Sequence, residues 1–199
     1  MSLTPETVDP DPVAQFAHWL DEARAAGVRQ PDAMTLATAS PNGEISARTV
    51  LLRGLDARGF VFYTNRASAK AVELAANPRA ALVFHWREQE RQVRITGPVT
   101  PVAADEADEY WQTRPRGHRI SAWASRQSEV VDDAALAASV ARIEERFADA
   151  DPPRPDFWGG YRVGVEELEL WQGRPDRLHD RVRYRRDATA AWTRERLAP

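Results

Sequence analysis

The chain has 199 residues, 43% hydrophobic and 29% charged, a length and mixture that suit one globular domain. Its formal net charge of -3 gives no general pull toward nucleic acid or an anionic membrane, and the lack of cysteine excludes thiol catalysis, disulfides and Cys-based metal sites. The opening MSLTPETVDPDP has neither the basic nor the apolar stretch of a secretory signal, and no apolar run approaches a membrane span, so a cytoplasmic protein is expected.

Residues 1–11 are polar and acidic and are expected to be a loose segment ahead of a single domain at 12–199. Asp11-Pro12 opens a helix in which Val13, Phe16, Trp19, Leu20 and Ala23 share one face, with Gly27 as the stop. From 34 to 100 the chain reads as strands: MTLATA, a turn at Asn42-Gly43, EISARTVLLR, a turn near Asp56–Gly59, then GFVFYTN. Ser68 is placed to cap a short helix, AKAVELAAN, and AALVFHW and RQVRITGPV follow as further strands. Short turns between successive strands imply an antiparallel sheet curling toward a barrel, and the lack of regular βαβ alternation argues against a parallel sheet. Ala103–Thr113 and Asp132–Ala150 read as helices, with a break before Arg114-Pro115, and DPPRPDFWGG reads as a loop. YRVGV, ELELWQ and a terminal RVRYRR/AWTRERL hairpin complete the chain.

The familiar glycine loops GxGxxG and GxxxxGK[ST], the GxSxG elbow and the HExxH metal pattern are all absent from the sequence, and the four histidines are scattered, so no metal site is expected. What remains is a stock of basic, hydroxyl and amide residues near strand ends: Arg48 and Arg53, Ser68 and Lys70, Gln92, Arg126–Ser128, and Arg177, His179 and Arg181. Arginine forks with hydroxyls or a helix N-terminus suit phosphate, and this stock would furnish two phosphate-sized sites. For any one of these arginines alone, solvated surface charge is the plainer reading. Arg177, His179 and Arg181 alternate, so on a strand they would share one face and repel unless an anion joined them. Trp19, Trp158 and Trp192 read as packing, whereas Trp171 could lie against a flat ring.

The ordered strings ARTVLLR, FYTN..S.K, RQVRITG, YWQTRPRG, SRQS, FWGGYRV, LWQGRPDRLHDR and terminal RLAP, from Ala33 to Pro199, resemble the pyridoxamine 5'-phosphate oxidase family. That resemblance implies a mainly β fold with flanking helices, an antiparallel, Greek-key-like split β-barrel, and a homodimer with FMN at the subunit interface. It implies oxidation of pyridoxine or pyridoxamine 5'-phosphate to pyridoxal 5'-phosphate with O2, giving hydrogen peroxide. Position by position, FMN would meet Arg48, Thr49, Val50, Leu51, Leu52, Arg53, Tyr63, Thr64, Lys70, Gln92, Gln127, Ser128, Trp171 and Arg181. The substrate phosphate would meet Arg53, Tyr110, Arg114 and His118, while Arg177 and His179, the catalytic candidates, would cover the reacting face. Three positions depart from the family pattern: Arg53 stands for the usual Lys, His118 for a frequent Ser, and Ala69 for a basic residue. A phenazine-type flavin oxidase of the same superfamily and a non-catalytic flavin- or pyridoxal-phosphate-binding protein stay open as alternatives, whereas the charge balance counts against a nucleic-acid-binding barrel.

Overall fold

The computed structural model describes residues 2–199. Its first helix, α1 (Pro12–Ala25), starts where expected, with the Asp11 carboxylate accepting from the Val13 N–H. The strands are β1 (Ala33–Ala39), β2 (Ile45–Leu51), β3 (Gly54–Asp56), β4 (Gly59–Asn65), β5 (Arg79–Trp86), β6 (Arg91–Pro101), β7 (Trp158–Val163), β8 (Glu167–Gln172), β9 (Asp180–Arg186) and β10 (Trp192–Arg196). Helix α2 (Ala69–Ala76) joins β4 to β5, and α3 (Ala104–Thr113), α4 (Arg116–Ala124) and α5 (Asp133–Arg146) lie between β6 and β7.

Every strand pairing is antiparallel, in the order β10-β9-β8-β6-β5-β1-β2, with β7 joining β6 to β4 and β4 pairing with β3. The curled half-barrel foreseen from the turn spacing is therefore present. Strand β6 makes it possible by changing partners: residues 91–96 pair with β8 and 99–101 with β7. Gly97 sits at the switch, where a Cβ would lie 1.8 Å from the Gly164 carbonyl oxygen, so only glycine permits the crossing.

The core forms where α1 lays its apolar face on the sheet. Phe16 meets Phe60 edge-on at 4.7 Å and Phe84 at 4.6 Å, with Trp86 beside them and Leu36, Leu82, Ile95 and Leu168 beneath. Burying each such side chain contributes about 1.5–3 kcal/mol, enough to hold the barrel without a cross-link.

Three expectations need correcting. Residues 2–11 are not loose: Leu3 and Val8 are buried in the main core, and the Tyr184 hydroxyl donates to the Asp9 carbonyl. Residues 116–124 form α4 and were not foreseen, because RGHRISAWA carries a glycine and only a short apolar face, Ile120 and Ala124, against α5. Trp158-Gly159-Gly160 opens β7 instead of ending a loop; at Gly160 a Cβ would lie 2.7 Å from the Tyr63 ring, so this glycine serves close packing and not a turn.

Candidate active site

One cleft of about 530 Å³ gathers much of the foreseen set: Arg48, Thr49, Val50, Leu51 and Arg53 from β2 and its end, Tyr63 and Thr64 from β4, and Lys70 from α2. Tyr110 on α3, Arg114 at the α3–α4 elbow, His118 on α4, and Gln127 and Ser128 beyond it form the opposite wall. Leu52 does not join them; it turns into the core.

At one end of the cleft sits Lys70, in the first turn of α2 and only 6% exposed. Its Nζ donates to Thr64 Oγ1 at 3.2 Å and Ser68 Oγ at 3.3 Å, and it forms no ion pair with a carboxylate among the described residues. Burial pushes its pKa down, and the nearby Arg48 charge adds to that, with Glu73 opposing. Ser68 occupies the helix N-cap, but its hydroxyl donates to the Asn65 carbonyl and does not cap a first-turn N–H. The N-terminus of α2 is met from across the cleft, where the Ala69 N–H donates to Ser128 Oγ and Gln127 Oε1 accepts from Thr64. Ser128 pays for this reach with a left-handed backbone, φ 81°.

Arg48 is not a free fork. Its guanidinium donates to Thr38, Ser46 and, at 3.3 Å, to Glu73 on α2. Burial alone would raise the Glu73 carboxyl, but hydrogen bonds from Thr38, Ser46 and Arg48 hold it below the usual range. Arg53 is likewise engaged, with Asp32 at 2.6 Å. Neither carboxylate was singled out from the sequence, although Glu73 lies one helical turn from Lys70, a spacing that puts the two side chains on the same side of α2.

At the other end stands Arg114. Its guanidinium lies 4.7 Å from the Trp158 ring centroid, Nη2 donates to the His118 carbonyl, and Nε is buried with no hydrogen-bond partner. No carboxylate pairs with it among the described residues, and burial draws its pKa down. Trp158 was read as packing; it is that, and it is also the shelf that aims this cation. Tyr63 stacks on Tyr110 at 4.1 Å and on Trp158 at 5.2 Å, and burial pushes its phenol up to about 12.

The remaining candidates form a second group outside this cleft. Gln92, Trp171 and Arg181 lie in one cross-strand row over β6, β8 and β9. The expected alternation of 177, 179 and 181 on a strand does not hold. Only Arg181 is on β9; Asp176 and Arg177 form a tight turn with positive φ of 55° and 60°. Two left-handed non-glycine residues in succession cost about 1–3 kcal/mol each, the kind of strain found at functional loops. His179 packs against Trp171, centroids 4.7 Å apart, and Arg181 is held by Glu169 at 2.8 Å. Among the described residues no His, Asp and Glu cluster suits a metal ion, and no helix is long and apolar enough to cross a membrane.

Residues 20–147 match the pyridoxamine 5'-phosphate oxidase family, and residues 158–199 match the pyridoxine 5'-phosphate oxidase C-terminal dimerisation region, which points to a homodimer. The pyridoxine/pyridoxamine 5'-phosphate oxidase of Ralstonia pickettii (strain 12J) is 57% identical over 199 residues, covering 100% of this chain and 93% of its own. That of Rubrobacter xylanophilus is 52% identical, covering 99% and 91%. Among solved structures, PhzG from Burkholderia lata 383, in complex with tetrahydrophenazine-1-carboxylic acid, superposes with a TM-score of 0.93 at 36% identity, over 99% of this chain and 98% of that one. A pyridoxamine 5'-phosphate oxidase-related, FMN binding protein from Nostoc punctiforme shares the fold, with a TM-score of 0.76 at 20% identity over 97% and 99%. By both sequence matches and by fold, the chain belongs to the pyridoxamine 5'-phosphate oxidase family.

Proposed function

We propose that the protein is an FMN-dependent oxidase that converts pyridoxine or pyridoxamine 5'-phosphate to pyridoxal 5'-phosphate, with O2 as acceptor and hydrogen peroxide as product. One observation carries this reading: a single cleft holds two cations, Lys70 and Arg114, that no carboxylate neutralises among the described residues. A buried unpaired cation is costly, and an anionic ligand relieves the cost. Two such places match two phosphorylated molecules lying side by side. The donor set suits them, with hydroxyls and a helix N-terminus around Lys70 and an orphaned N–H on Arg114.

Lys70, Ser128 and Gln127 would hold the FMN phosphate side, with Arg48 behind them tied to Glu73, and Arg114, Tyr110 and His118 the substrate phosphate. Bound flavin would supply the redox chemistry, accepting hydride from the substrate's 4'-carbon and passing the two electrons to dioxygen. The protein's own share is orientation and charge neutralisation, so no strong acid–base pair is required. Arg177, His179, Trp171, Gln92 and Arg181 do not line the cleft of their own chain. In a homodimer they would complete the cleft of the second copy, and all of them but Gln92 lie in the region that matches the family's dimerisation segment.

Identity of 57% to a named vitamin-phosphate oxidase, against 36% to PhzG, supports the phosphorylated pyridine over the tricyclic acid. Protein loaded with FMN is expected to release peroxide with pyridoxine or pyridoxamine 5'-phosphate and not with tetrahydrophenazine-1-carboxylic acid. Peroxide from the tricyclic acid alone would replace the substrate assignment, and none from any of them would leave a binding protein.

Arg53 departs from the family pattern, yet Asp32 already neutralises it. Lys at this position would keep one contact to that carboxylate, and a partly exposed pair is worth little. Arg53→Lys is therefore expected to move KM for pyridoxine 5'-phosphate by less than about threefold. A larger change in steady-state KM would make Arg53 a specificity element.

A further inference from the structure

At the head of β9 lies a buried acid that the cleft does not use. Asp180 is 4% exposed and gathers donors from three separate parts of the chain. Its Oδ2 accepts from Arg174 Nε at 2.8 Å, the Leu3 N–H at 3.2 Å and Ser2 Oγ at 3.4 Å, while Oδ1 accepts from Arg196 Nη2 at 2.8 Å. The N-terminal segment, the last strand and the turn carrying Arg177 thus converge on one carboxylate.

The turn is closed at both ends by the same two residues' neighbourhood. Arg174 reaches Asp180 with its side chain, and its backbone N–H donates to His179 Nδ1 at 3.2 Å. A backbone N–H can only donate, so Nδ1 accepts and the neutral ring carries its proton on Nε2. Between these ties, Asp176 and Arg177 hold their left-handed backbone. The Leu178 N–H closes this turn onto the Pro175 carbonyl at 3.2 Å, but that one bond meets the strain of two successive left-handed non-glycine residues only in part, and the ties at Arg174 and His179 supply the rest of the hold.

We propose that Asp180 is a positioning residue: by anchoring Arg174 to the N-terminal segment and to Arg196, it sets the conformation of the 174–179 turn and the tautomer and aim of His179. Its effect on turnover rests on the reading that Arg177 and His179 cover the substrate; its effect on the turn does not. Without the carboxylate, the bonds that Asp180 accepts from Arg174, Arg196 and Leu3 would be lost or weakened together. The turn would then relax toward ordinary backbone angles and His179 would lose the N–H that selects its tautomer.

The test uses FMN-loaded full-length Asp180→Asn and Arg174→Lys, with ring-nitrogen NMR shifts of His179 identified through His179→Gln. Arg174→Lys leaves the Asp180 bonds to Arg196 and Leu3 intact, so it decides the matter if Asp180→Asn fails to fold. The wild type is expected to show one neutral tautomer protonated at Nε2, and the variants a mixture. In parallel, kcat/KM for pyridoxine 5'-phosphate is expected to fall by roughly tenfold to a hundredfold, the scale of a small misplacement, with FMN affinity within about twofold. Wild-type nitrogen shifts at His179 in the folded variants would overturn the proposal, whatever the kinetics. Altered shifts with unchanged kcat/KM would uphold the hold of Asp180 on the turn and count instead against the substrate-covering role of Arg177 and His179, which Arg177→Ala checks directly.

Discussion

Lys70→Met is expected to weaken FMN binding by roughly tenfold to 150-fold, the worth of a charge-assisted hydrogen bond of about 1.5–3 kcal/mol. The ammonium is buried at the N-terminal turn of α2 with only two hydroxyls for company, and its lowered pKa records the cost of keeping a charge there. A phosphate would repay that cost; methionine fills the same space without the charge. The apoprotein should therefore fold as well as the wild type or better, since an unpaired buried cation has been removed. Titration of free FMN by flavin fluorescence quenching measures the loss. An affinity within twofold of wild type would put the flavin phosphate somewhere other than beside Lys70.

Arg114→Ala should separate the two ends of the cleft. KM for pyridoxine 5'-phosphate is expected to rise by roughly tenfold to 150-fold, again from a lost charge-assisted contact, while FMN affinity stays within about twofold. Arg114→Lys should recover only part of the loss. An ammonium keeps the charge but neither the fork nor the flat face that rests on Trp158 at 4.7 Å. Steady-state kinetics over a range of substrate concentrations distinguishes these outcomes. Equal loss of flavin and substrate affinity would mean that Arg114 serves the cofactor.

How far the sequence could be read depends on which interactions are local. Asp11-Pro12 and Asn42-Gly43 are turn and cap chemistry written in adjacent residues, and α1 and the β1–β2 hairpin lie where that chemistry put them. Helix α4 and the start of β7 failed the same reading because distant contacts decide them: Ile120 is buried by Ile143 and Phe147, and Gly160 is required by the ring of Tyr63. At the site, charge type was legible but charge pairing was not. Arg48, Arg53 and Arg181 looked interchangeable with Lys70 and Arg114 as anion ligands. The structure separates them, since Glu73, Asp32 and Glu169 already answer the first three. These acids sit far away or on other elements, so no spacing in the chain announces them. The alternation of Arg177, His179 and Arg181 misled for the opposite reason, because it assumed a strand where the backbone makes a left-handed turn.

The docking of residues 2–9 also bears on how the molecule is made. Leu3 bonds to Asp180 across 177 positions of sequence, Asp9 to Tyr184 across 175, and Val8 to Arg194 across 186. These residues are thus made well ahead of the partners that they bond to. Until residues 180–194 have been made, Leu3 and Val8 remain uncovered apolar side chains, so the docking of this segment comes late in folding.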